Sequence, residues 1–457
     1  MEKFDVVVVG SGSGMNVAAA AVAGGMKTAL VEFGSMGGTC LNRGCIPSKM
    51  LIYAADVVAM AEDAENIGVK LKVDRVDFSA VMRRMRHFVT EDSESQARSV
   101  EASPDLTWFK ERGEFISDYT MKVGNQIIKG DRVFIVSGAR PDIPPIKGLQ
   151  NVGYLTSDTV LKLDKQPRSL IIIGGGYIAA EYGHFFSSIG TKVTIIQRSP
   201  RLLPEEEPEI SELLKEEMSK KTAIFTGHEA IEVKEEGNAK KVLARNRENG
   251  KTAEFTAEAL LVAAGRVPNS DLLKPQKTGV ELDDRGYVKV NEYLETGKKN
   301  IWAFGDAIGK YMFKHVANYE AEVAWHNAIH EHKVKVDYSA APHAVFTHPQ
   351  VASVGLKENE AKQLGHKVLV GYSHYKDTAI GIAMGEPRGF VKVIVEQKTG
   401  RLLGGHIIGP HASVLIQEVV NAMSTGERTF LPIARAMHIH PAMTEVVQKA
   451  FFALREA

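Results

Sequence analysis

The sequence has little cysteine: two residues, Cys40 and Cys45, in a chain of 457. That number argues against a secreted fold stapled by disulfides and cannot supply a four-thiolate metal site, so no metal is expected. Neither sign of charge is in excess, since 56 Lys and Arg residues balance 56 Asp and Glu. Nothing in that balance recruits nucleic acid or an anionic membrane surface. No run reaches the roughly 18 uninterrupted apolar residues that a membrane span needs. The opening Met1-Glu2-Lys3-Phe4-Asp5 leads straight into a valine strand, without the basic region and apolar stretch of a secretion signal. Together these absences point to a cytoplasmic protein.

The length exceeds what one core supports and predicts two to four domains. Phe4-Asp5-Val6-Val7-Val8-Val9 reads as a buried strand stopped by glycine. Gly10-Ser11-Gly12-Ser13-Gly14 follows, then an alanine-rich helix from about Met15 to Gly24, then a strand from Thr28 to Val31 ending at Glu32. This is a βαβ unit with an acidic residue about twenty positions beyond its first glycine, the pattern of a dinucleotide fold. The pattern recurs: strand Ser169 to Ile173, turn Gly174-Gly175-Gly176-Tyr177-Ile178-Ala179, a helix to about Ile189 and a strand from Thr191 to Ile196. One such fingerprint is a weak signal; two, each between a strand and a helix, predict two bound nucleotides. Glycine suits these turns because a phosphate must approach the backbone, where the helix N-terminus offers free N–H groups.

The first turn carries Met15 where the fingerprint has its third glycine. That position serves helix–strand packing, so a looser crossing is expected there. In the second unit Gln197-Arg198 stands where an NAD-selective fold carries a carboxylate. Losing that carboxylate removes repulsion of a 2′-phosphate, and Arg198 with Arg201 can pair with it. NADPH is therefore favoured over NADH. Boundaries fall at the proline-rich Arg140-Pro141-Asp142-Ile143-Pro144-Pro145 and after Leu260 to Asn269. Beyond about Asp337, strand-like runs such as Phe390 to Val395 and an amphipathic helix near Ser413 to Met423 predict an α+β domain. Glu205-Glu206-Glu207 reads as a solvated loop.

The two cysteines share a window of six residues. In a reducing compartment such a pair reads as a working redox dithiol; read alone, it is equally two inert, buried thiols. Context decides. Gly37-Gly38-Thr39-Cys40-Leu41-Asn42-Arg43-Gly44-Cys45-Ile46-Pro47-Ser48-Lys49 closely resembles the active-site segment of the class I flavoprotein disulfide reductases, which include dihydrolipoamide dehydrogenases, glutathione reductases, mycothione reductases and mercuric reductases. Ser137-Gly138-Ala139-Arg140-Pro141 and Ala264-Gly265-Arg266-Val267-Pro268-Asn269 resemble that family's crossovers between nucleotide domains. Ala303-Phe304-Gly305-Asp306 resembles its second FAD motif, and His438-Ile439-His440-Pro441-Ala442-Met443-Thr444-Glu445 its C-terminal signature.

The resemblance implies an α/β fold with two Rossmann-like domains and a C-terminal α+β dimerisation domain. The corresponding division is 1–149 with 262–338 for FAD, 150–261 for NAD(P) and 339–457 for dimerisation. Gly10, Gly12, Gly14, Glu32, Thr39, Lys49, Asp306, His315 and Ala139 would hold FAD. Gly174, Gly176, Tyr177, Gln197, Arg198, Arg201 and Gly265 would serve NAD(P)H, with Tyr177 as an aromatic lid. Cys45 would face the flavin, and Cys40 would attack the substrate disulfide. Lys49 would pair with Glu181 at the flavin edge. His440, backed by Glu445, would be the acid–base partner of Cys40, supplied by the other subunit of a homodimer. Physical chemistry supports this independently: a thiol of pKa about 8.5 is mostly protonated at neutral pH, and a histidine with a carboxylate behind it can take and return that proton. His438 is expected to be a satisfied or solvent-facing histidine.

Within the family, the absence of a further C-terminal cysteine pair sets aside mercuric reductases and large thioredoxin reductases. Ala20 and Glu322 stand where glutathione reductases carry substrate-binding arginines, which sets aside glutathione. The active-site segment and His315 resemble dihydrolipoamide dehydrogenases. The first turn, Gln197-Arg198 and Phe313-Lys314-His315-Val316-Ala317-Asn318 stand closer to mycothione reductases. The expected activity is therefore NAD(P)H-linked turnover of a small disulfide or dithiol in cell redox homeostasis, dihydrolipoamide dehydrogenase-like, with an NADPH-dependent, mycothione reductase-like disulfide reductase as the alternative. Non-covalent docking to a 2-oxoacid dehydrogenase complex is a further reading.

Overall fold

A computed structural model describes residues 1–457. The chain forms two compact units: Met1–Ser48 with Met82–Asp142 and Gly265–Val336, and Lys49–Val81 with Ile143–Ala264 and Asp337–Ala457.

The first unit is built on a parallel sheet. Strand Glu2–Val9 lies between Thr28–Val31, which pairs onward with Leu106–Phe109, and Gln126–Ile135. The upper end of Gln126–Ile135 also pairs with Ile301–Ala303, in the register Val133 to Ile301. Its lower end carries an antiparallel meander, Gly113–Ser117 and Thr120–Val123. Val6, Val7, Val8 and Val9 are all buried, as a strand covered on both faces requires. Val6 and Val8 pack with Val17, Ala18 and Ala21 of helix Gly14–Ala23 and with Ala321 and Ala324 of helix Lys314–Ile329. Val7 and Val9 pack on the other face against Phe115, Met121 and Val280.

The second unit carries a four-stranded parallel sheet in the order Thr222–Thr226, Lys192–Gln197, Ser169–Ile173, Ala259–Val262. Helix Tyr177–Ser188 makes its crossover. A three-stranded antiparallel sheet spans 228–257, and a six-stranded antiparallel sheet spans 342–456. Helices Ala412–Met423 and Glu445–Phe452 pack on that last sheet through Val419, Val420, Val446 and Phe451. The fold is the expected α/β arrangement, and the elements named from the sequence begin and end within two residues of their expected places.

Helical structure running through 38–67 is long and apolar enough, by length and composition alone, to cross a membrane. Its acidic residues are engaged inside the second unit instead: Asp56 meets His184 at 2.8 Å and Asp63 meets His348 at 2.6 Å. Those ion pairs mark it as a helix of a globular fold.

Two expectations need correction. The crossing at the first glycine turn is tight, because Gly14 takes the packing role one residue before Met15: a Cβ on Gly14 would lie 2.8 Å from Val8 Cγ1. Met15 is free to pack at the edge of the same core. The Glu205-Glu206-Glu207 stretch is no solvated loop. Glu206 and Glu207 are only 3% and 2% exposed, because distant residues neutralise them. Glu206 accepts hydrogen bonds from Ser353 Oγ at 2.7 Å and meets His343 Nε2 at 2.6 Å. Burial alone would raise its carboxyl; His343 and Ser353 hold it below the ordinary range. Glu207 sits 3.3 Å from the buried Lys392 ammonium and accepts from the Glu358 N–H at 2.7 Å.

Candidate active site

In the first unit the site grows out of the first glycine turn. Gly10 has φ +113°, and a Cβ there would run into the Val136 carbonyl, so only glycine lets the turn close against the neighbouring strand. At Gly12 a Cβ would meet nothing within 4 Å; the space above the helix N-terminus is open to a phosphate. Glu32 ends its strand beside this turn. Its Oε2 accepts from Ser11 N at 3.0 Å and Ser11 Oγ at 2.9 Å, and its Oε1 accepts from Gly34 N at 2.8 Å. Asp306 lies in the turn after strand Ile301–Ala303. Burial pushes its carboxyl up, and the Arg266 guanidinium, Nε at 3.8 Å, works against that. Arg266 also donates to Ala139 O, where strands Ala139–Pro141 and Arg266–Pro268 pair, and Gly265 O accepts from Asp142 N at 2.9 Å. Arg266 Nε and Ser137 Oγ are buried without hydrogen-bond partners. Orphaned donors beside an open glycine turn fit a large polar cofactor such as FAD.

The cysteine segment packs on that turn: a Cβ on Gly38 would lie 2.7 Å from Gly12 Cα. Gly38 opens helix Gly38–Arg43, which carries Thr39 and Cys40; Gly44 breaks it, and helix Cys45–Asp63 follows. Cys40 is half-buried and Cys45 exposed. The Cys40 thiol is pushed far up, first by its hydrogen bond with Cys45 and then by burial. Both effects favour the protonated form of Cys40. His315 is exposed and stacks on Phe313, centroids 5.7 Å apart.

In the second unit, Gly174 repeats the first turn's geometry with φ +123° and a would-be Cβ in the Ala263 carbonyl, and Gly176 again has open space around it. Gln197 packs on Gly175, while Arg198 and Arg201 are exposed just beyond. Arg201 has only a long contact, 3.8 Å, to Glu212. Tyr177 opens the crossover helix and stacks on His343, centroids 5.5 Å apart; burial, then Glu206 and Glu205, push its hydroxyl up. One turn along, Glu181 accepts from Lys49 Nζ at 2.6 Å and from Phe346 N at 3.1 Å. The Lys49 ammonium lies 4.7 Å over the Phe346 ring. His440 Nδ1 lies 3.0 Å from Glu445 Oε1, and Ala442 N donates to Oε2 at 3.3 Å. The hydrogen bond to His440 holds Glu445 below the ordinary carboxylate range. His440 is 71% exposed, so its other nitrogen faces outwards. His438 is instead satisfied, meeting Glu418 at 2.7 Å and Ala436 O at 3.1 Å.

Three residues at these sites were not singled out from the sequence: Lys314, which donates to Ser13 Oγ at 3.1 Å and acts electrostatically on both thiols, and the His343–Glu206 pair behind Tyr177. Only Lys314 had a neighbouring signal, since it sits beside His315.

Paired thiols on a dinucleotide turn, a second such turn, and a carboxylate-backed histidine define an oxidoreductase that links a nicotinamide nucleotide to dithiol–disulfide chemistry through a flavin. A family model described as pyridine nucleotide-disulphide oxidoreductase matches residues 4–321, and that family's dimerisation domain matches residues 341–451. The chain belongs to the pyridine nucleotide-disulphide oxidoreductase family, which uses FAD and NAD(P)H. It is 37% identical to a mycothione reductase of Mycobacterium tuberculosis over the whole of both chains. It is 35% identical to a dihydrolipoyl dehydrogenase of Chlamydia muridarum, covering 97% of this chain and 95% of that one. Among solved structures, the Cu(II) complex of the HOCl-induced flavoprotein disulfide reductase RclA from Escherichia coli superposes with a TM-score of 0.88 at 27% identity, over 99% of each chain. The chain is thus a flavoprotein disulfide oxidoreductase with a dimerisation domain, acting on a small molecule.

Proposed function

We propose that this enzyme uses NADPH to reduce a low-molecular-weight disulfide, in the manner of a mycothione reductase. The observation that carries the reading is the end of strand Lys192–Gln197, which presents Gln197 and exposed Arg198 and Arg201 instead of a carboxylate. Such an end attracts a 2′-phosphate. Glu322, exposed on helix Lys314–Ile329, disfavours a substrate that presents a carboxylate there.

FAD, held by Gly10, Gly12, Gly14, Glu32, Thr39, Ala139, Asp306 and His315 with Lys49 and Glu181 at its edge, would supply two-electron transfer between the nicotinamide and the cysteine pair. Once the pair is a dithiol, His440 of a second copy of the chain takes the Cys40 proton, with Glu445 stabilising the imidazolium. Cys40 attacks one sulfur of the substrate disulfide, and the substrate S–S bond breaks. His440 returns the proton to the departing thiolate. The Cys45 thiolate then attacks Cys40 in the mixed disulfide, which expels the second thiolate, protonated from solvent, and re-forms the Cys40–Cys45 bond. Tyr177 covers the nicotinamide site. In this reading the domains divide as 1–149 with 262–338, 150–261 and 339–457, and the enzyme works in the cytoplasm, where a dithiol can cycle.

The cysteine segment and the 35% identity to dihydrolipoyl dehydrogenases support a second reading, in which the same steps run backwards on a dithiol. Steady-state turnover with NADPH and NADH, against lipoamide and a panel of low-molecular-weight disulfides, separates the two. NADPH-driven reduction with lipoamide inert is the expected result. Brisk NAD⁺-linked oxidation of dihydrolipoamide would overturn it, and co-purification with an acyltransferase core would then place the enzyme in a 2-oxoacid dehydrogenase complex.

A further inference from the structure

Lys314 opens the helix Lys314–Ile329, and its ammonium is turned back onto the first glycine turn, donating to Ser13 Oγ at 3.1 Å. Ser13 Oγ in turn donates to Asn318 Oδ1 at 2.9 Å, and Asn16 reaches the same oxygen at 3.4 Å. Three residues, Ser13, Asn16 and Asn318, thus form the network that holds the lysine in place. The cysteine segment packs on the same turn, through the contact of Gly38 with Gly12. The lysine and the thiols therefore flank one short piece of backbone.

We propose that Lys314 is the positioning cation that keeps the reduced Cys40–Cys45 pair as a monoanion at neutral pH. The inference rests on the proposed role of that pair as the redox centre. On reduction the two sulfurs carry two protons. One leaves to solvent; the other stays on Cys40, hydrogen-bonded to the Cys45 thiolate. Lys314 lowers the free energy of that anion through space, without taking up or giving a proton. The charges acting on the group are mutual: burial pulls the lysine below its ordinary value, the two thiols offset part of that, and Lys314 opposes the upward push on Cys40. A half-buried ammonium beside a thiolate is screened less than a surface pair. The consequence for the reaction is readiness: Cys45 is ionised before substrate arrives, and only the Cys40 proton has to be managed by a base.

The test is the pH profile of iodoacetamide alkylation of the anaerobically reduced holoenzyme, followed by mass spectrometry of the peptide carrying both cysteines, for wild type, Lys314→Met, Lys314→Arg and Ser13→Ala. Lys314→Met is expected to shift the midpoint up by about one unit, which slows alkylation about tenfold at a pH well below both midpoints. Lys314→Arg should restore the wild-type midpoint, and Ser13→Ala, which releases the ammonium, should give an intermediate one. Should Lys314→Met fail to retain flavin, Ser13→Ala and Lys314→Arg still decide the matter. Superimposable profiles for all four proteins overturn the role of Lys314. A wild-type profile in which neither cysteine ionises below the ordinary thiol range, with no change in thiol count on reduction, overturns the redox pair itself.

Discussion

Lys392 offers the sharpest test of how the second unit is held. It is 2% exposed, and its ammonium lies 2.6 Å from Glu209, 2.9 Å from Glu358 and 3.3 Å from Glu207. Burial alone would push the lysine down, but these carboxylates hold it well above its ordinary value. Lys392→Met keeps most of the side-chain volume and removes the charge. Glu207, itself 2% exposed, then faces its neighbours without a counter-ion. Breaking a buried ion pair from one side costs about 3–5 kcal/mol. With a urea m-value of about 3 kcal/mol/M for a large unit, the midpoint should fall by about 1–1.7 M. The sign of the pH effect is also fixed. Burial alone would raise Glu209 and Glu358, yet hydrogen bonds from Lys392, and from Lys362 at Glu358, hold both below the ordinary range. They therefore add stability above an unfolded pKa of about 4.3 and lose it as pH falls through the folded values. In Lys392→Met the carboxylates are pushed up instead, so the native state takes protons more readily than the unfolded chain. The deficit should shrink between pH 7.5 and pH 5, and Glu207→Gln in the same protein should recover part of it. Urea unfolding of the holoenzyme followed by circular dichroism measures all of this. A midpoint unchanged at pH 7.5, or a deficit that grows on acidification, refutes the reasoning.

Three further outcomes are expected. His440→Gln removes the acid–base group while leaving the thiols in place, and kcat for disulfide reduction should fall about 10²–10⁴-fold, with NADPH-dependent reduction of the protein itself, read by rapid-mixing absorbance, unaffected. Arg198→Ala should raise KM for NADPH about tenfold or more and leave that for NADH nearly unchanged, measured by initial rates. Gly14→Val places a branched side chain where a single Cβ would already meet Val8 Cγ1 at 2.8 Å; overpacking of about 1–3 kcal/mol and weakened FAD retention should appear in thermal melts and flavin-to-protein ratios.

The sequence was most legible where local chemistry and tertiary role coincide. Val6 to Val9 and Leu170 to Ile173 are β-branched or aliphatic runs ended by glycine, and no other element suits them. The Lys49–Glu181 pair, 132 residues apart, came into view only through family resemblance, because no local pattern links its members. Met15 misled by one position: the fingerprint assigns close packing to a residue number, whereas the helix needs it at whichever residue faces Val8, here Gly14. Glu206 and Glu207 were hidden for a different reason. A run of glutamates reads as surface because burying charge is costly, and the partners that make burial tolerable, His343, Ser353, Glu358 and Lys392, lie far along the chain. Lys314 was hidden likewise, as its relation to the thiols exists only once two helices have packed.

The central claim is that Cys40 and Cys45 cycle between disulfide and dithiol. It is tested most directly by counting alkylated cysteines in the isolated holoenzyme before and after anaerobic addition of stoichiometric NADPH, with NADH in parallel. Neither residue should be labelled before addition and both after it, with Cys45 labelled first near neutral pH. Both residues labelled before addition and unchanged after it would contradict the account.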